Sequence, residues 1–436
     1  MSRNWTDNQK KAIEARNMQI LVSAAAGSGK TSVLTERVKR ILCDTENSCA
    51  VSEILVVTFT RAAATEMRDR IYKALGDEIE NNSENSDYLR RQMTLLPTAD
   101  ICTMDSFCAK LVRENFHLAD VGANFKILDE KDEKELMKYA VKDVVDGLYE
   151  ENDPDFLALS EMFLSERDDV KLEEIIENLY TFSRSYPSPS LWLDEITEKF
   201  SPEKDPFSTG WVDFCAKNLS MFSDFYYHRL RRCVALIEED SGNTSNYTER
   251  FNMSAENLRI LKDLLERKDW DSAINHLRNG LAVKPRLKGK NDIDEELRAV
   301  TEKVFGSFED NIKSINNHTL PLLSEHKEDC KTLYPIVKKL CEAVKRLTDV
   351  LDEMKKERNS YGFDDVLHKA IDLLADFSAG EMKKTPLAEE LTAKYKEILI
   401  DEYQDTNKAQ NTIFEIISRD KTNLYTVGDV KQSIYG

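Results

Sequence analysis

Eight consecutive residues, Ala24-Ala25-Ala26-Gly27-Ser28-Gly29-Lys30-Thr31, have the types and spacing needed to hold phosphate. They fit the P-loop pattern, with alanine in place of its first glycine. Glycines let successive backbone N–H groups turn into one concave nest, and a helix starting at Ser32 adds the positive end of its dipole. Lys30 would then reach the β- and γ-phosphates as a point charge, and the Thr31 hydroxyl would coordinate Mg²⁺. The run from Ala24 to Ser32 is therefore the expected ATP-binding segment, with ATP and Mg²⁺ as the expected cofactors.

Such a site needs a carboxylate from a second strand for its metal. Ile398-Leu399-Ile400-Asp401-Glu402 supplies one, because an apolar run ends there in two acids. Asp401 would hold Mg²⁺, and Glu402 would orient or deprotonate the attacking water. Taken alone, the pair also reads as a strand ending in a solvated acidic turn. A third apolar run ends in Gly428-Asp429-Val430-Lys431-Gln432-Ser433, where Gln432 could hydrogen-bond the γ-phosphate and sense which nucleotide is bound. These elements say ATPase and leave its object open.

The elements that must position them are legible as two textures. Short β-rich runs occur at Gln19–Ser23, Ile54–Phe59, Asp100–Met104, Ile398–Ile400 and Leu424–Val427, each followed by polar residues or a helical pattern. Strand, loop and helix in alternation predict a parallel sheet with crossover helices. Between about Val121 and Glu357 the sequence is charged, long-period and almost free of strand runs. Leu136, Met137, Ala140, Val141, Val144, Val145 and Leu148 mark one helix face. Val337, Leu340, Val344, Leu347, Leu351 and Met354 step by three and four on another, as a core-packing helix or a coiled-coil arm. The expected order is an α/β motor domain over 1–121, a helical insertion over 122–356, and the motor domain resuming over 357–436. Asn81–Ser86 reads as a loop, and Lys284–Lys290 as a basic loop that is solvated or touches a phosphate backbone.

Composition narrows the class. At 436 residues with 41% hydrophobic content, there is enough chain for two cores. The polar start of the sequence lacks a signal-peptide pattern, and no apolar run approaches the ~20 residues of a membrane span, so a cytoplasmic protein is expected. Eight scattered cysteines form no C-x-x-C pair and read as reduced structural thiols. The net charge of −19 opposes a generic nucleic-acid binder, although a strand-tracking motor needs only a local groove.

The tetrad Asp401-Glu402-Tyr403-Gln404, continued as Asp405-Thr406-Asn407, resembles the DExQ box of superfamily-one helicases of the UvrD and RecB group. Other motifs of that group follow in order. Gln9, in Trp5-Thr6-Asp7-Asn8-Gln9, is similar to the upstream glutamine that recognises adenine. Thr58-Phe59-Thr60-Arg61-Ala62-Ala63-Ala64 with Glu66-Met67, and Cys102-Thr103-Met104-Asp105-Ser106-Phe107, resemble the segments that touch single-stranded DNA. Val427 to Tyr435 looks like the motif that couples nucleotide state to DNA. The P-loop wording from Ser23 to Thr31, with Val430-Lys431-Gln432-Ser433, is closer to the AddA branch of helicase–nuclease proteins than to UvrD, and Phe182-Ser183-Arg184-Ser185-Tyr186-Pro187-Ser188-Pro189 with Leu191-Trp192-Leu193 resembles part of that branch's inserted domain. Phe125 to Glu130 resembles the segment leading into that branch's inserted, 1B-like domain.

The resemblance implies a RecA-like motor, 3′-to-5′ unwinding, action on single- and double-stranded DNA ends at breaks for recombinational repair, and a heterodimer with an AddB-like partner. It also implies that the second motor domain and any nuclease lie beyond Gly436, so that this chain alone would bind ATP and turn it over poorly. Phe59, Thr60, Arg61, Thr103, Ser106 and Tyr435 are the expected DNA contacts. Plain alternatives stand beside them: a core phenylalanine at 59, a surface arginine at a helix start at 61, and a helix cap at 103 and 106. Rival readings are a UvrD-like helicase without nuclease, a P-loop ATPase acting on protein partners, and a DNA-end scaffold that has lost catalysis.

Overall fold

The computed structural model describes residues 4–25, 27–44, 49–81, 85–163, 169–240, 245–284, 293–317, 320–378 and 380–429. All the β-rich runs form strands of one parallel sheet: β1 (Ile20–Ser23), β2 (Ile54–Thr58), β3 (Asp100–Thr103), β4 (Glu397–Ile400) and β5 (Leu424–Gly428). Their spatial order is β1-β5-β4-β2-β3. The two strands from the end of the sequence, β5 and β4, lie between β1 and β2, with Val56 in register with Leu399, Ile398 with Leu424, and Ile20 with Tyr425.

Period-two alternation explains how so few strand residues build two cores. Leu55, Val57, Ile398 and Ile400 face a cluster with Phe107, Leu111, Ile371 and Phe414. Ile54, Val56 and Leu399 face the opposite way, onto Leu34, Val38, Met67, Ile71 and Tyr425. Helices cover both faces, as a parallel sheet requires. At the edge, β1 is only partly covered, and Leu21 is 69% exposed.

One buried cation locks the approach to the site. Arg37, on the helix Lys30–Cys43, donates to the carbonyls of Ala12 (3.1 Å) and Ala15 (2.6 Å) and to Glu397 Oε2 (3.0 Å). Its guanidinium also lies 4.5 Å from the centroid of the Tyr425 ring. Helix Asp7–Glu14, the phosphate-loop helix, β4 and β5 thus share one side chain. A second buried network gathers Arg184 and Lys355 on Asp365, at 3.2 and 2.7 Å. Buried charges persist only when paired in this way.

By compactness the chain divides into 1–194 with 340–436, and 195–339. Helices Glu130–Glu151 and Val170–Ser183 belong to the first unit, with Leu136, Ala140, Val141, Val144, Val145 and Leu148 buried as their spacing predicts. The second unit is helical. Trp211–Asp240 and Ser245–Glu266 pack around Leu230, Tyr247, Phe251 and Phe308, and Arg250 sits within 5 Å of the rings of Tyr247, Phe251 and Phe305.

The helix Leu323–Arg358 contains the three-and-four stripe, and its Val344, Leu347 and Leu351 are buried, which is the core-packing arrangement. Two local readings fall partly outside the described residues. Asn81 ends one helix and Ser86 opens the next, and 82–84 between them lie outside the described residues. In the basic stretch, Lys284 is paired with Glu309 at 2.6 Å, and 285–290 lie outside the described residues.

Candidate functional site

The sheet's carboxyl edge brings the chemistry-bearing residues together, since parallel strands present all their C-terminal ends on one side. Ala24 N, just past β1, donates to the Gly428 carbonyl at the tip of β5 (3.0 Å). The loop then turns through Gly27 and Gly29, whose φ values of 74° and 86° lie in the left-handed region that disfavours any side chain. Gly29 is the N-cap of the helix Lys30–Cys43 and no side chain caps that end. The first N–H groups of a helix have no intrahelical acceptor, so this terminus is built to receive an anion. Ala26 lies outside the described residues; Ser28, Thr31 and Ser32 occupy the expected loop and first turn.

Lys30 Nζ lies 2.9 Å from Glu402 Oε2, with the lysine side chain only 10% exposed. Glu402 adopts φ 53°, a left-handed conformation that costs a non-glycine residue on the order of 1 kcal/mol. That twist turns its carboxylate out of the direction of β4. Asp401 stays in the ladder, its N–H donating to the Val57 carbonyl (2.9 Å), and its own Oδ1 accepts from Glu402 N (3.1 Å).

The two acids are shifted in opposite directions. Burial, then the neighbouring Glu402 charge, pushes the Asp401 carboxyl above its ordinary range. Burial acts upward on Glu402 too, but hydrogen bonds from Gln404 and Lys30 outweigh it and hold Glu402 below the ordinary range.

Gln9 completes one wall. Its Oε1 accepts from Thr6 N (3.0 Å), forming a capping box, while its Nε2 donates to the Ser28 carbonyl of the phosphate loop (3.1 Å). Thr6, Gln9, Ala25, Ser28, Lys30 and Tyr425 border a cavity of about 330 Å³.

The remaining candidates divide. Phe59 follows the end of β2 and is 52% exposed, which removes the core reading. Thr60 Oγ1 accepts from Ala63 N (3.1 Å) at the start of the helix carrying exposed Arg61. Thr103 is buried and caps its helix, accepting from Ser106 N (3.2 Å), and the two hydroxyls lie 2.9 Å apart. The cap reading is therefore present at 103 and 106. Gln432 and Tyr435 lie outside the described residues.

Sequence reasoning passed over Arg37 and gave Gln404 no role. An arginine seven residues beyond the phosphate-loop lysine looks like any helix-surface cation, and only the long-range pairing with Glu397 reveals it.

A phosphate-loop helix facing a strand-end acid across an intervening strand defines a P-loop α/β motor domain. The chain belongs to the UvrD/REP helicase N-terminal domain family, whose pattern matches residues 5–209 and 212–436. It is 34% identical over 443 residues to the ATP-dependent helicase/nuclease A-subunit of Clostridium beijerinckii, a match covering 99% of this chain and 35% of that protein. It is 36% identical over 452 residues to the protein of the same name from Clostridium novyi, with the same 99% and 35% coverage. The counterpart in a Thermoanaerobacter species is 34% identical over 445 residues, covering 100% of this chain and 35% of the relative. The chain thus spans about a third of the length of these relatives. Among the described residues no helix is long and apolar enough to cross a membrane.

Proposed function

We propose that this chain is the ATP-binding motor portion of a DNA helicase of the AddA, or helicase/nuclease, type. Family membership and the relatives' names support that class. The observation that carries the chemistry is the Lys30–Glu402 contact at the uncapped end of the phosphate-loop helix.

In this reading the backbone N–H groups from Gly27 to Thr31, with Ser32 in the first turn, receive the phosphates of ATP. Lys30 leaves Glu402 to neutralise the terminal phosphates, which frees the Glu402 carboxylate to orient or deprotonate water. Gln404 still donates to the Glu402 carboxylate after Lys30 leaves and favours its ionised form, as that task requires. Gln9 closes the loop from the adenine side, and Gln432 senses the γ-phosphate.

Mg²⁺ fits Thr31 and Asp401. Asp401 is a half-buried carboxyl raised by burial and its acidic neighbour, and among the described residues no cluster of three or more ligands would hold a metal without help from phosphate. Such a site, with few protein ligands plus phosphate oxygens, suits Mg²⁺, which when bound would neutralise charge on the transferring phosphoryl group. Phe59, with half its surface exposed at the sheet's carboxyl edge, suits stacking on an unpaired base, with Thr60, Arg61, Thr103, Ser106 and Tyr435 along the strand. The 3′-to-5′ direction, recombinational repair at broken ends, an AddB-like partner, a cytoplasmic setting and the 1B-like assignment of 122–356 rest on the resemblance, and we assign no nuclease residue.

The test is ATP hydrolysis by the full-length protein with and without single-stranded DNA, beside its Lys30→Ala variant. DNA-stimulated hydrolysis lost in the variant supports the reading. Hydrolysis indifferent to DNA, or unaffected by the substitution, sinks it.

A further inference from the structure

Between Glu402 and the tip of β5 lies a side chain to which the ATPase reading gives no role. Gln404, on the short 3₁₀ turn Tyr403–Asp405, donates from Nε2 to Glu402 Oε2 (2.9 Å) and to Asp405 Oδ2 (3.1 Å). Its Oε1 accepts from the Asp429 N–H (2.9 Å), just past the end of β5. The amide's orientation is dictated by its partners. An N–H must face the carbonyl oxygen, and carboxylates must face the NH₂. The oxygen of Glu402 that Lys30 approaches is the same one that Gln404 holds. A single carboxylate oxygen is therefore bracketed by the phosphate loop on one side and by the tip of β5 on the other.

The fit at the far end is tight. A Cβ on Gly428 would come within 2.6 Å of Gln404 Oε1 and 3.1 Å of Gln404 N. Gly428 is thus fixed by close approach, and any shift of the chain at Gly428–Asp429 must push or pull the amide. We propose that Gln404 is a positioning residue that ties the Glu402 carboxylate to the backbone at the tip of β5, passing displacement of that tip to the group that handles water. The inference rests on the ATPase reading above and deepens it.

Residue type explains why an amide is needed. Glutamate at 404 would keep an acceptor for Asp429 N but lose both donations and set a third negative charge beside Glu402 and Asp405. Methionine would keep the shape and lose every bond. A hydrogen bond to a charged group is worth ~1.5–3 kcal/mol, which converts to roughly a 10- to 100-fold change in rate if it is made at the transition state.

The test uses the full-length protein and its Gln404→Glu, Gln404→Met and Gly428→Ala variants. Fluorescent ATP-analogue affinity, kcat with and without single-stranded DNA, and melting temperature would be read for each. We expect nucleotide affinity within about threefold of wild type, because the phosphate loop is untouched. A fall in kcat of at least about tenfold is expected for both Gln404 variants. Gly428→Ala should reduce DNA stimulation although it alters no polar group.

Unchanged rates in soundly folded Gln404 variants would overturn the inference while leaving the ATPase reading intact. So would a parallel loss of nucleotide binding and kcat with a lowered melting temperature, which marks a merely structural role. A wild-type protein without DNA-stimulated hydrolysis would sink the reading and the inference together.

Discussion

Lys30 Nζ and Glu402 Oε2 lie 2.9 Å apart, although 372 residues separate them in sequence. In the function proposed above, a nucleotide phosphate would compete with Glu402 for the Lys30 ammonium. Glu402→Gln removes the competing charge and leaves Lys30 available. Fluorescent ATP-analogue affinity in this variant should therefore equal or exceed that of wild type by a few-fold, while steady-state phosphate release falls at least ~100-fold, the scale of a lost general base. Lys30→Ala should lose binding by tenfold or more. Equal losses of binding in the two variants would remove the competition.

Phe59 distinguishes stacking from packing by its exposure of 52%. Phe59→Ala should weaken binding of a single-stranded oligonucleotide by ~1–3 kcal/mol, the worth of one stacked base. Its melting temperature should stay close to wild type, because exposed positions change stability by only about ±0.5 kcal/mol. A core phenylalanine would do the reverse, costing ~3–5 kcal/mol of stability on truncation. A large drop in melting temperature with unchanged DNA affinity would count against the assignment.

Arg37 is buried among carbonyls, the Tyr425 ring and Glu397. Arg37→Met strands the Glu397 carboxylate, and breaking a buried pair from one side costs ~3–5 kcal/mol. The double variant Arg37→Met with Glu397→Gln should recover part of that loss, since no unpaired charge remains. Chemical denaturation of the unit containing the sheet would give the three values. A single variant within ~1 kcal/mol of wild type would show that the network carries little.

How much was legible follows from the range of each interaction. The five strands of the main sheet were readable, because runs such as Ile54–Thr58 and Ile398–Ile400 are apolar on both faces and end in turn chemistry, whereas the two-residue strands Lys126–Ile127, Ser360–Tyr361, Ala375–Asp376 and Lys383–Lys384 are too short to leave a pattern. The phosphate loop was readable for the same local reason, since Gly27 and Gly29 sit at positions that need φ above zero. Spatial order was not, because β5 enters between β1 and β4 only through pairings that span the whole chain. The same distance hid Arg37 and the Arg184–Asp365–Lys355 cluster, whose partners lie up to hundreds of residues away, while Gln404 was hidden by a bond to the backbone of Asp429 that no residue pattern marks. Phe59 was undecided in the sequence because a strand-end aromatic packs or protrudes according to neighbours that the local pattern does not specify.

His368 gives the fold a pH dependence of definite sign. It is buried, its Nε2 lies 2.9 Å from the Arg184 carbonyl, and burial followed by the Arg184 charge pushes the imidazole down to about 3. An unfolded histidine titrates near ~6.5, so between roughly 6.5 and 3 the unfolded chain binds a proton that the folded chain refuses. Stability must fall as pH drops through that window, by ~1.4 kcal/mol per unit, or about 2 kcal/mol at pH 5. Asp352, Asp364 and Asp372, which burial pushes upward, act in the opposite sense. They are present in both proteins of a comparison between wild type and His368→Gln, so their contribution largely cancels. Urea denaturation at pH 7.5 and pH 5.0 should show the variant gaining on wild type by about 2 kcal/mol on acidification, since glutamine keeps a donor for the Arg184 carbonyl and has no proton to gain. A difference between the two proteins that is the same at both pH values would mean that His368 titrates normally in the folded state.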